Sequence, residues 1–211
     1  MCSSDLLSGD TITALATINT SLFAGTCTGQ VFRSDNNGDS WIPVSVGLAN
    51  NRVTCFTSLS STIFVGTSNG VYSSTNNGGQ WTPVNTGMIY REVRALHTFG
   101  GELFTGTGGG VYRSANTGGS WTDVSQGMKN AGIRTLVRDG SKFYVGTWIG
   151  IFLSDDECNN WESYLEGPAI FSIALTSEDF YAGHWGRLFY TPRSSTNWFS
   201  IQYPDSTNRI Y

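Results

Sequence analysis

Residues 102–121, ELFTGTGGGVYRSANTGGSW, decide the fold. Glu102 to Thr107 reads as a strand ended by a glycine run, Gly108-Gly109-Gly110, and Val111-Tyr112-Arg113-Ser114 reads as the next. Ala115 to Gly119 is a hairpin loop, and Ser120 to Val124, carrying Trp121, is a further strand. Upstream, Glu92 to Thr98 (EVRALHT) shows the apolar alternation of a strand at Val93 and Ala95, and Phe99-Gly100-Gly101 is a turn. Short strands with closely spaced turn signals predict antiparallel β structure rather than helix.

The phrase recurs along the chain. Trp41, Trp81, Trp121 and Trp161 stand forty residues apart, and Trp198 follows thirty-seven later. In register with them, Ile12, Val53, Val93, Ile133 and Phe171 start the first strands. Leu22-Phe23, Ile63-Phe64, Leu103-Phe104, Phe143-Tyr144 and Phe180-Tyr181 make the second. Four strands in each repeat of this period predict a β-propeller blade. A lone blade has two apolar faces, so it stacks on neighbours. The shorter coils of a β-solenoid do not carry this four-strand order. The expected fold is therefore all-β, a β-propeller of four-stranded antiparallel blades. Five blades are expected, at about 10–46, 51–86, 92–126, 132–166 and 169–203.

The ends give a further expectation. Residues 1–9 read as a non-native or disordered leader, because Cys2-Ser3-Ser4-Asp5-Leu6 resembles a translated sequencing-adapter end. Residues 204–211 read as the start of another blade or a tail, since Asn208-Arg209-Ile210 stands to Trp198 as Asn51-Arg52-Val53 stands to Trp41. Both point to a metagenomic fragment of a six- to eight-bladed parent whose signal peptide is lost.

Of the 211 residues, 39% are hydrophobic and only 13% charged, with 26 Gly against 5 Pro. That charge fraction is about half the usual value. Together with abundant polar turn residues it fits an extracellular or cell-surface β protein. A formal net charge of −4 argues against nucleic acid as a partner. No apolar run approaches the length of a membrane span, so no membrane insertion is expected. Cys2, Cys27, Cys55 and Cys158 have neither metal-ligand spacing nor the pattern of a disulfide framework. No metal and no cofactor are expected.

The hairpin before each tryptophan carries a motif of the form S-x-[D/N]-x-G-x-x-W. It runs through Ser34, Asn36, Gly38 and Trp41, through Ser74, Asn76, Gly78 and Trp81, and through Ser114, Asn116, Gly118 and Trp121. A fourth copy keeps Ser154, Asp156 and Trp161 but has Cys158 at the glycine position, and the fifth keeps little beyond Trp198. The series resembles the Asp-box, or bacterial neuraminidase repeat. That family spans sialidases, xyloglucan-active hydrolases, sortilin-type receptors and photosystem II assembly-factor-like propellers. The side chain of Asp or Asn shapes the turn by accepting from backbone N–H groups, and glycine supplies a positive φ. The resemblance implies a structural role for these boxes, away from the ligand face.

In the resembling families, ligand sites open on the face formed by the inter-blade loops and the turns between second and third strands. The candidates there are Trp148 and Trp185 in equivalent turns, His184 and Arg187 beside Trp185, Tyr90 and Arg91 on one inter-blade loop, and Lys129 on another. Aromatic planes flanked by hydrogen-bonding groups suit sugars or peptides; the alternative is that the indoles fill gaps between blades. Arg94 and Arg134, each second in its first strand, are candidates for a carboxylate or another anion. The alternatives there are a solvated wall or pairing of Arg94 with Glu92. The equivalent positions elsewhere hold Thr13, Thr54 and Ser172.

No arginine triad and no tyrosine–glutamate pair of the sialidase kind is evident. Asp10, Glu92 and Glu166 are the only acids placed on the ligand face, and their blades are not evidently opposed, as the two flanking carboxyl groups of a glycosidase need to be. The expectation is a non-catalytic secreted or cell-surface module that binds a glycan or an extracellular protein, or serves as a scaffold. The alternative is a fragment of a sialidase-like or other glycoside hydrolase. Oligomeric state is open.

Overall fold

A computed structural model of the chain describes residues 10–128, 132–195 and 197–202. Among them, twenty strands form five four-stranded antiparallel sheets, each in sequence order. The first blade is β1–β4 (Ile12–Ile18, Ser21–Thr26, Val31–Ser34, Ile42–Pro43) and the second β5–β8 (Val53–Leu59, Thr62–Thr67, Gly70–Ser74, Thr82–Pro83). The third is β9–β12 (Val93–Phe99, Glu102–Thr107, Gly110–Ser114, Thr122–Asp123) and the fourth β13–β16 (Ile133–Asp139, Lys142–Thr147, Gly150–Ser154, Glu162–Glu166). The fifth is β17–β20 (Ser172–Leu175, Asp179–His184, Arg187–Pro192, Phe199–Gln202). The chain is a β-propeller with five four-stranded blades. It divides into two compact units, Met1–Thr107 with Tyr112–Asp123, and Gly108–Val111 with Val124–Tyr211. Residues 1–9, Lys129, Tyr203 and the 204–211 tail, with Asn208, Arg209 and Ile210, lie outside the described residues.

Two details differ from the sequence reading. The fourth strand of blade three is not Ser120 to Val124 but only Thr122–Asp123, and β4 and β8 are equally short. The cause lies in the tryptophan amides. Val124 N–H still donates to Val111 of its own blade (2.9 Å), whereas Trp121 N–H donates to Thr86 of the blade before (2.8 Å). The second difference is a one-residue register shift in blade five. Ser172 pairs with Gly183 as Cys55 pairs with Gly66 and Thr135 with Gly146. Ile170, fully buried, therefore takes the place of Val53 and Ile133. Phe171, not Ser172, stands where Thr54 and Arg134 stand.

Within each unit, neighbouring blades share an apolar core. Phe23, Val31, Val44, Val53, Ile63 and Trp81 belong to one core between blades one and two. Phe64, Val71, Met88, Val93, Leu103 and Trp121 belong to the next. In the second unit Tyr144, Ile151, Ile170, Ile173 and Phe180 form a third, with Trp198 packed against it.

The regular tryptophans latch one blade to its predecessor. Trp81, Trp121 and Trp161 are 2%, 4% and 3% exposed. Their indole N–H groups donate to the carbonyls of Val44, Val84 and Val124, each at 2.7 Å. These hydrogen bonds tie each ring to the blade before its own. Burying an indole this completely is worth roughly 4–6 kcal/mol of gross hydrophobic stabilisation. The bond satisfies its one polar atom. The latch also explains Gly47, Gly87 and Gly127, which share the forty-residue period. At each, φ is near +90° and an added Cβ would fall on the carbonyl of the next regular tryptophan.

The hairpins before the tryptophans are built alike. Ser34 Oγ donates to Asn36 Oδ1 (2.9 Å) and accepts from Gly38 N–H (2.9 Å), while Ser40 N–H donates to Asn36 Oδ1 (2.9 Å). Ser74, Asn76 and Gly78 repeat the arrangement, as do Ser114, Asn116 and Gly118. In blade four Asp156 plays the asparagine's part, accepting from Ser154 Oγ (2.8 Å) and Asn160 N–H (2.9 Å). Cys158 N–H still donates to Ser154 Oγ (3.0 Å), although Cys158 must hold φ at 67°.

Candidate functional site

In blades one to four the second residue of the first strand sits on a β-bulge. Pairing skips Thr13 between Ile12 and Ala14, Thr54 between Val53 and Cys55, Arg94 between Val93 and Ala95, and Arg134 between Ile133 and Thr135. A bulge leaves one residue outside the ladder and re-aims its side chain. Where the residue is Thr13, the hydroxyl turns back onto Val53 O (2.6 Å) and Gly25 O (3.3 Å). The longer side chains at this position reach other groups, Arg94 to Glu92 and Arg134 to the Trp148 ring.

In the second unit the bulge places Arg134 over Trp148. The guanidinium carbon lies 3.7 Å from the Trp148 ring centroid and 5.0 Å from that of Phe171. Trp148 follows β14 in a turn fixed by Thr147 Oγ1, which donates to Gly150 O (2.9 Å) and accepts from Ile149 N–H (3.1 Å). Its ring meets Phe171 edge-on, with centroids 6.0 Å apart and planes at 83°. Trp185, in the equivalent turn after β18, stacks on Phe171 at 5.1 Å and 17°. Phe171 N–H is held by Gly183 O (2.9 Å), so the ring bridges the two turns from a fixed backbone position.

Polar groups border the rings. His184 Nδ1 lies 2.8 Å from Ala169 O. A carbonyl only accepts, so Nδ1 carries the proton and Nε2 is the acceptor of the neutral ring. Arg187 is exposed and pairs across the turn with His184, which puts both side chains on one face of the sheet. Trp148 and Trp185 are 44% and 54% exposed. Trp148 also packs close to Gly132, where an added Cβ would come within 3.0 Å of the indole. Trp148 is thus held by Phe171 at its edge and by Arg134 over one face, and Trp185 by Phe171 on one face, each leaving about half of its surface exposed. Phe171, which joins the two, is absent from the sequence-derived candidates because the shifted register concealed its position. An aromatic residue next to an aliphatic core residue, Ile170-Phe171, was the available signal.

The first unit holds the other candidates. Arg94 is committed to Glu92 through Nε (3.2 Å) and Nη2 (2.9 and 3.0 Å). That is the pairing alternative; it engages Nε and Nη2, while Nη1 is buried without a hydrogen-bond partner among the described residues. Tyr90 and Arg91 are exposed on the loop after β8, with Tyr90 N–H donating to Tyr112 Oη (3.3 Å). Ile89, Arg91 and Pro83 line a shallow depression beside them.

Several acids are already engaged. Glu102 pairs with Arg113 (2.7 Å) and Asp139 with Arg193. Asp10 accepts from Cys27 Sγ (2.9 Å), Thr28 Oγ1 and Thr11 N–H (2.8 Å), and these bonds, Cys27 first, hold its carboxyl well below the usual range. Glu166 is exposed, lining a depression with Ile149, Phe152 and Ser163. Burial pushes the Cys55 thiol up to about 11, which makes it a poor nucleophile. Among the described residues no group of three His, Cys, Asp or Glu side chains could hold a metal ion, and no helix is long and apolar enough to cross a membrane.

The sequence matches no family model and no curated protein. Solved structures share its fold. The extracellular domain of BT4673 from B. thetaiotaomicron has a TM-score of 0.80 at 19% identity, covering 93% of this chain and 28% of that one. An ancestral GH74 enzyme has a TM-score of 0.75 at 22% identity, over 92% of this chain and 31% of that one. YCF48 bound to D1 peptide has a TM-score of 0.69 at 14% identity, over 92% of this chain and 68% of that one. The chain thus spans less than a third of the BT4673 and GH74 chains. At these identities the likeness is one of fold.

Proposed function

We propose that the protein is a non-catalytic, extracellular or cell-surface propeller that binds a glycan across Trp148, Phe171 and Trp185. The observation that carries this reading is the pair of half-exposed indoles fixed on either side of one phenylalanine. Exposed aromatic planes give a sugar its apolar contact, while Arg134, His184 and Arg187 supply hydrogen-bonding groups at the border. Anchored rings lose little conformational freedom when a ligand stacks on them.

A second reading, in which the ligand is an extracellular protein segment, draws support from the two arginines beside the rings and from the fold's likeness to YCF48 bound to D1 peptide. Glycan-array binding by the wild type, and by the Trp148→Ala, Trp185→Ala double variant, separates these. Binding lost in the double variant supports the glycan reading. Binding that survives it removes the site, and no binding to any glycan favours the protein ligand. Hydrolysis of a bound glycan, abolished in Glu166→Gln, would instead establish a glycoside hydrolase.

A further inference from the structure

The fourth strand of blade four departs from the pattern of the first three blades. β16 runs over Glu162–Glu166, whereas β4, β8 and β12 are two residues long. The cause is the residue four places after the regular tryptophan. In blades one to three it is Ser45, Asn85 or Ser125, whose side chain accepts from the N–H of Val31 (2.8 Å), Val71 (2.7 Å) or Val111 (2.9 Å) and stands in for a strand. Blade four has Leu165, which offers no such acceptor, and its backbone pairs with Ile151 instead. An added Cβ at Gly70 would fall on the Asn85 side chain, and one at Gly150 on the Leu165 carbonyl. Main chain has taken the side chain's place.

The longer strand redirects Glu166. Its counterparts Val46, Thr86 and Gln126 give their carbonyls to the backbone N–H of the next regular tryptophan (2.8, 2.8 and 2.9 Å). Glu166 pairs with Gly150, in the turn that carries Trp148, and Gly167 N–H donates to Ile149 O (3.3 Å). Pairing skips Tyr164 between Ser163 and Leu165. Tyr164 and Leu165 therefore both pack on the core of the second unit, while Ser163 and Glu166 are exposed.

These two polar residues border the depression that Ile149 and Phe152 also line. Phe152 is buried, and Ile149, the neighbour of Trp148 in its turn, is half-exposed. An apolar hollow with a few polar groups has the composition of a small-ligand site. An ionised carboxylate only accepts hydrogen bonds, and its two oxygens can take two neighbouring hydroxyls; the Ser163 hydroxyl can donate or accept. The same charge disfavours a sugar that carries a carboxylate of its own.

We propose that this depression is a second sugar subsite adjoining the aromatic one, with Glu166 as its hydroxyl acceptor. The proposal rests on the glycan reading of Trp148, Phe171 and Trp185. It makes the ligand a neutral oligosaccharide long enough to reach from the rings past Ile149 to Glu166. A disaccharide is held by the rings alone. Glu166 binds and selects; it does not transfer a proton.

Isothermal titration calorimetry on the full chain tests this. The neutral probes are the dimers and hexamers of β-1,4-, β-1,3- and α-1,4-linked glucose, and hexagalacturonate is the acidic one. At least one neutral hexamer should bind more tightly than its dimer. Glu166→Ala should weaken that hexamer about 10–100-fold, the worth of a hydrogen bond to a charged group, and leave the dimer unchanged. Glu166→Gln should regain part of the loss, because its Oε1 still accepts, and should bind hexagalacturonate more tightly than the wild type does. The Trp148→Ala, Trp185→Ala double variant should lose hexamer and dimer alike. A hexamer bound equally by the wild type and Glu166→Ala, yet lost with the indoles, overturns the subsite and leaves the aromatic site standing. A wild type that binds none of the neutral probes also overturns it, and the glycan array then decides whether the aromatic site falls too. Shorter products released from a hexamer by the wild type and not by Glu166→Gln overturn it as well, since the carboxyl would then take part in hydrolysis.

Discussion

Trp121 and Trp148 lie in blades three and four, and their surroundings could hardly differ more. Trp121 is 4% exposed and its N–H is bonded at 2.7 Å to a carbonyl of the preceding blade. Trp148 is 44% exposed, with an arginine over one face and a phenylalanine at its edge. The residue type is the same; the backbone position decides what the indole does. On the hairpin side of a blade it closes an interface. In the turn between second and third strands it is held out to solvent by a Thr-fixed loop and a neighbouring bulge.

The contrast predicts unequal costs. Trp121→Ala removes a buried indole and leaves Val84 O without its donor, so thermal or urea unfolding should show a loss of about 3–5 kcal/mol. Thr117→Gly tests the hairpin that delivers Trp121. A β-branched residue at φ 57° is strained, and glycine should stabilise the protein by about 1 kcal/mol in the same assay. Trp185→Ala should change stability by less than about 1 kcal/mol, since its ring is half in water, while abolishing ligand binding. A cost near that of Trp121→Ala would erase the distinction between the two kinds of tryptophan.

The smallest effect concerns pH. Hydrogen bonds from the Asn160 side chain, the Asn160 amide and Ser154 hold the Asp156 carboxyl below its ordinary range. A depressed value means that the ionised form stabilises the fold above the ordinary carboxylate range. That contribution disappears as pH falls through the lowered value. Asp156→Asn should flatten this part of the acid limb of the melting-temperature profile, because Asn36, Asn76 and Asn116 build the same hairpin without titrating. An unchanged limb would show that the fourth hairpin does not depend on the charge.

The strand starts at Ile12, Val53, Val93 and Ile133 were legible because apolar alternation and glycine punctuation repeat at one period. The latch was not. A period says which residues are equivalent, yet says nothing about whether Trp81 faces its own blade or Val44 of the one before. Gly47, Gly87 and Gly127 carried a trace of it, since glycine at a fixed offset marks a close backbone approach. The candidate site was half legible. Trp148 and Trp185 stood out by lying off the period, but Phe171 was hidden by the shifted register, and the bulges under Arg94 and Arg134 leave no mark in composition.

The latch has a consequence in time. Val44 waits for a partner synthesised thirty-seven residues later, and so do Val84 and Val124. At translation speeds of about 5–20 residues per second that delay is roughly 2–7 s for each blade. Throughout synthesis, the newest finished blade therefore emerges with a bare apolar flank, and only the arrival of its successor hides it. The protein is zipped in one direction, and its most vulnerable surface travels with the ribosome.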